Sequence, residues 1–83
     1  MRIFPGQLVV ADPGLIDPDS FMRLFNVPAG MGNLVGEDVH VTGHLYAGDV
    51  ALVVALGTTT TSDVYVIGPN GGGWAPQAFL KNT

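Results

Sequence analysis

The chain has 83 residues, three basic against seven acidic side chains, a formal net charge of −4 and no cysteine. That length is one small domain; so little positive charge argues against nucleic-acid or anionic-membrane binding, and no disulfide framework or Cys-based zinc site can form. The opening Met1-Arg2-Ile3-Phe4-Pro5-Gly6 lacks a secretory pattern, and the longest apolar run, Val50 to Leu56, falls far below the roughly 20 residues of a membrane span.

Gly and Pro divide the chain into short pieces, as in small all-β domains. The first strand reads Gln7-Leu8-Val9-Val10-Ala11 and stops at the turn tripeptide Asp12-Pro13-Gly14. A short helix is expected over residues 18–25. Asp17 suits its N-cap, Pro18 its first position, and Asp19 adds favourable charge in the first turn. Ile16 and Phe21 fall at the positions of a hydrophobic staple, and Phe21, Leu24 and Phe25 would share one face. Asn26 and Val27-Pro28 end it. Two turns cannot persist alone, so the Phe face must pack on something.

Residues 29–48 are Gly-rich, with a short strand expected around Val39-His40-Val41-Thr42. Val50 to Leu56 is a strand with Val50, Leu52, Val54 and Leu56 on one face and Ala51, Val53 and Ala55 on the other. Both faces are apolar, so both need cover, one from the core and one from the helix or a partner. The run Thr58 to Ser62 is a polar loop. Asp63 to Ile67 returns as a strand, Pro69-Asn70-Gly71-Gly72 is a tight turn with Asn-Gly at positive φ, and Gly73 to Pro76 is a strand. Gln77-Ala78-Phe79 is one 3₁₀ turn before a closing strand at Leu80-Lys81.

Strand, long loop, strand, short loop, strand, tight turn, strand, 3₁₀ turn, strand is the order of an SH3-like barrel. Val64 to Ile67, Asn70-Gly71-Gly72, Gly73-Trp74 and Phe79-Leu80-Lys81 resemble the last hairpin and closing strand of small SH3-like domains of bacteria and tailed bacteriophages. Pro5-Gly6-Gln7-Leu8-Val9 resembles their first strand, so the resemblance covers residues 5–11 and 49–81. It implies an all-β fold: a single SH3-like domain over 1–83, whose first loop is a long insertion at 12–48 carrying the helix. Trp74, Phe79, Leu52, Val54 and Val66 are then expected in the structural core.

Chemistry-bearing patterns are sparse. Two tyrosines and one tryptophan, without an acidic first-loop motif, do not make a polyproline-binding row. His40 and His44, near Glu37 and Asp38, would lie about 13 Å apart on one strand face, too far to share a zinc ion. Asp12, Asp17 and Asp19 lack the spacing of a calcium loop, and capping accounts for two of them. Gly30 to Gly36 has the wrong spacing for a dinucleotide fingerprint, and no serine sits in a nucleophile context. No catalytic residue, metal ligand or cofactor is assigned, and the chain is expected not to be an enzyme.

Only 12% of residues are charged while 47% are hydrophobic, against roughly 25% charged in an ordinary chain. A domain this small buries only about 60–65% of its unfolded surface, so part of the apolar area is expected to be covered by another chain. The acidic excess lies in residues 1–49, leaving 50–83 neutral and the better docking half. Ala51, Val53, Ala55, the loop Thr58, Thr59, Thr60 and Thr61, and Phe21 and Phe25 are the candidate contact residues. The function expected is a structural or assembly protein in an oligomeric assembly with itself or with capsid or tail proteins. In a virion it would be a capsid cement or decoration protein or a head or tail connector subunit of a tailed phage. The alternatives are a free intracellular interaction module in the host cytoplasm, such as a phage inhibitor of a host factor, and a cell-wall-binding SH3-type domain.

Overall fold

The computed structural model describes residues 3–28, 39–57 and 63–83. The expected Thr58–Thr61 contact loop and the Gly30–Gly36 segment lie outside them, as do Glu37 and Asp38. Seven antiparallel strands follow in chain order: β1 (Leu8–Ala11), β2 (Phe21–Phe25), β3 (Val41–Tyr46), β4 (Val50–Leu56), β5 (Asp63–Gly68), β6 (Asn70–Pro76) and β7 (Leu80–Asn82). A 3₁₀ turn, Gln77–Phe79, precedes β7. The strands form one curled sheet, a half-barrel in the order β2-β3-β6-β5-β4-β1-β7, with β2 also touching β6.

Alternation decides which side chains enter the concave side. Val9 lies opposite Ala51, and Val53 opposite Val66, so these four stack inward across β1, β4 and β5. With Ile3, Ile16, Leu24, Leu45, Val64 and Leu80 among others they make a wholly aliphatic core. Each buried Val or Leu contributes roughly 1.5–3 kcal/mol of transfer free energy. None of the seven aromatic side chains is in that core.

The expected helix at 18–25 is a strand. Met22 and Leu24 turn inward and Phe21, Arg23 and Phe25 outward, with Phe21 paired to Tyr46 and Arg23 to His44. Over five residues, Phe21, Leu24 and Phe25 fit a helical stripe and a strand almost equally well, and pairing with β3 decides between them. The capping signals serve a turn instead: the Ser20 N–H donates to the Asp17 carbonyl (3.0 Å), with Pro18 and Asp19 between them. The 12–48 insertion is accordingly more than a loop, because it supplies two of the seven strands.

The core assignment on β4 is also reversed. Ala51 and Val53 are 2% and 1% exposed, while Leu52 and Val54 face outward and stay about half-exposed. The concave side of a tightly curled sheet has less room than the convex side, so the smaller set goes in. Trp74 is only half-buried on the convex side and Phe79 is exposed in its 3₁₀ turn, whereas Val66 is fully buried. In the β5–β6 turn, the positive φ belongs to Gly71 alone (φ 105°), with Pro69 presetting the turn before it.

Candidate protein-interaction surface

The outward positions of the sheet follow from the same alternation, except where the bulge between Val53 and Ala55 shifts the register of β4 and sets Ala55 opposite Tyr65. Leu8 of β1, Leu52 of β4 and Ile67 of β5 lie in one cross-strand row on the convex face. They are 50%, 41% and 50% exposed, and Val50 and Val54 flank Leu52 along β4. A second row runs Phe25, Trp74, Tyr65, Ala55 across β2, β6, β5 and β4, all half-buried. Tyr65 and Trp74 meet edge to face, with ring centroids 5.5 Å apart.

At the β2–β3 side, Phe21, His44 and Tyr46 form a three-ring group with centroids 5.1–5.8 Å apart. The Arg23 guanidinium lies 5.7 Å from the centre of the Phe21 ring. These rings satisfy one another laterally, yet Phe21 and Tyr46 still leave much of their surface open. Phe21 and Phe25 therefore point away from the barrel's own core.

Exposed acidic charge is arranged around this face rather than on it. Among the described strand residues, no exposed position carries a carboxylate; Asp63, in phase with Tyr65 and Ile67 at the start of β5, is 8% exposed. Asp12, Asp17, Asp19 and Asp49 gather at one end of the sheet, in the turns that connect β1, β2, β3 and β4. Two of these carboxylates are occupied by turn backbone. Asp12 Oδ1 accepts from the Gly14 N–H (2.8 Å), and Asp49 Oδ2 accepts from the Tyr46 N–H (2.9 Å). The two described basic side chains, Arg23 and Lys81, stand at the centres of the two edge strands, β2 and β7.

No family model, curated protein or solved structure matches this chain. The surface has to be read from its own chemistry. Of the expected contact residues, Ala51 and Val53 are inside the fold and unavailable, Ala55 is half-buried beside Tyr65, and Phe21 and Phe25 are on the convex face. Leu8, Leu52 and Ile67 were missed because sequence alternation names two faces of a strand without saying which is concave. The Leu52 face is the bulkier one, and bulk alone favours assigning it to the core. His40 and His44 are drawn apart: His40 is tied through its backbone to Asn26, and His44 joins the ring group.

Proposed function

We propose that this chain is a non-enzymatic structural or assembly protein that works by docking the convex face of its sheet onto other protein chains. One observation carries the reading: the core is wholly aliphatic, all seven aromatic side chains lie outside it, and a row of Leu and Ile side chains stays half-exposed on the outer face. A free monomer gains most by burying its largest side chains, so their placement outside favours a surface meant to be covered.

Its more specific form is an SH3-like accessory component of a tailed-phage virion. Support for the fold comes from the pairings β1–β4, β1–β7, β4–β5 and β5–β6, with a 3₁₀ turn before the last strand. Support for the virion setting comes from the resemblance of the Gly73-Trp74 hairpin and its flanks. The test is mass spectrometry of density-purified particles from cells in which the chain is naturally expressed. A fixed copy number per particle is the expected result. The chain present only in the soluble lysate would overturn the virion setting and favour a free interaction module using the acidic end of the sheet.

A further inference from the structure

We propose that the occupant of the β1–β4–β5 face is a second copy of this chain, packed sheet against sheet with Leu52 on the two-fold axis. The inference rests on the docking role proposed above and names the partner for it. The first argument is area. Half-exposed Leu8, Val50, Leu52, Val54 and Ile67, with the outer side of Trp74, leave on the order of 500 Å² of apolar surface. A standard interface covers about 800 Å² per partner, and about 65% of a homodimer interface is apolar. The patch supplies that apolar share, and Asn70, in phase with Trp74 on β6, supplies a polar position at its margin.

The second argument is charge. Each copy carries a net charge of −4, so two copies repel wherever their turns meet. The convex face is where they meet without setting acid against acid, because among the described strand residues no exposed position holds a carboxylate, Asp63 being buried. A basic partner would gain nothing there and would find its complement at the Asp12–Asp49 end instead. The third argument is the guarded edges. Arg23 stands midway along β2 and Lys81 midway along β7, so pairing of copies edge to edge sets cation against cation. The face is left as the route to a second copy.

The row itself is self-complementary. Leu8 and Ile67 flank Leu52 on either side. A two-fold axis running along β4 through Leu52 lays Leu8 of one copy over Ile67 of the other, with the sheets about 10 Å apart.

The experiment is the solution mass of the purified chain by light scattering, over about 1 to 500 µM. Twice the 8.6 kDa chain mass at the upper concentrations is expected. Leu52→Glu and Ile67→Glu should each weaken dimerisation by on the order of 100-fold or more, because a carboxylate is then buried unpaired. Leu15→Glu, equally exposed but off the sheet, should leave the dimer intact. Leu52→Cys would be the only thiol in a cysteine-free chain, and a bismaleimide of about 10 Å span should join two copies through it. This conservative variant keeps the test valid if a glutamate variant unfolds. A monomer at every concentration overturns the second copy, while particle mass spectrometry judges the wider assembly role separately. A dimer that survives both glutamate variants, or that Leu52→Cys fails to cross-link, overturns the interface.

Discussion

Gly43 of β3 and Gly71 of β6 are paired so closely that a Cβ on Gly43 would lie 2.8 Å from the Gly71 carbonyl carbon. A Cβ on Gly71 would come equally close to the Thr42 carbonyl oxygen, and its φ of 105° is strained for any side chain. This contact lets β3 cross against β6 and brings β2 and β3 into the sheet. Gly43→Ala and Gly71→Ala are expected to cost about 2–4 kcal/mol each, as overpacking against backbone that cannot retreat. Gly48→Ala, at positive φ but in open space, should cost about 1–2 kcal/mol from backbone strain alone. Urea midpoints of the three variants check the order, and equal losses would mean that the strand crossing is not tight.

Neighbours on β4 should behave as opposites. Val53→Ala removes packing from a side chain 1% exposed and is expected to lower stability by about 1–3 kcal/mol. Leu52→Thr puts a β-branched side chain with good strand propensity on the outer face and should stay within about 1 kcal/mol of the parent. Stability is compared at low protein concentration, since any self-association would add to the apparent value. A larger loss at Leu52 than at Val53 would reverse the assignment of inside and outside.

Trp74 stacks in the row between Phe25 and Tyr65 rather than in the core. Trp74→Ala is therefore expected to cost about 2–3 kcal/mol, below the 3–5 kcal/mol typical of a fully buried ring. A double-mutant cycle with Tyr65→Ala should give a coupling of about 0.5–1.5 kcal/mol for the edge-to-face pair. Zero coupling would mean that the two rings do not meet in solution.

Asp12 serves the turn more than the ion pair. Its Oδ1 accepts the Gly14 N–H at 2.8 Å, while Lys81 Nζ stands 3.9 Å from the same atom with half its side chain exposed. Asp12→Ala is expected to cost about 1 kcal/mol through the lost turn acceptor. Lys81→Ala should cost no more than about 0.5 kcal/mol, and that difference should fade with salt. Thermal melts at low and high salt separate the two, and a large salt-sensitive loss at Lys81 would make the ion pair the dominant element.

What was legible in the sequence is what local chemistry controls. Val50 to Leu56 announces β4 by length and branching, and the Gly-Pro-Asn-Gly stretch and Gln77-Ala78-Phe79 place the last hairpin and the 3₁₀ turn. Residues 17–25 were misread because an N-terminal helix cap and a β-turn draw on the same Asp-Pro-Asp-Ser chemistry. Only the distant strand β3, contributed from beyond residue 40, resolves the ambiguity. The apolar excess of the composition implied apolar side chains left outside the core, yet which ones depended on sheet curvature, a property of the described strands together. Curvature sends Ala51 and Val53 inward and leaves Leu52 outside.

Arg23 tests how the open edge is kept from pairing. It is the single charge in Phe21-Met22-Arg23-Leu24-Phe25, and beyond its pairing with β3 the strand β2 meets another described strand only where Phe25 pairs with Trp74 of β6, which leaves Arg23 at an open stretch of edge. Arg23→Val turns β2 into five consecutive apolar residues with high strand propensity, the composition that templates aggregation. Folding itself should be unharmed, since Arg23 is exposed, and the thermal midpoint is expected within about 0.5 kcal/mol equivalent of the parent. Solubility should fall and thioflavin-positive material should appear with time at high concentration. Arg23→Lys, which keeps the charge, should stay soluble. If the valine variant stays as soluble as the lysine variant, the charge does not guard the edge, and sheet extension through β2 becomes open to two copies alongside the face.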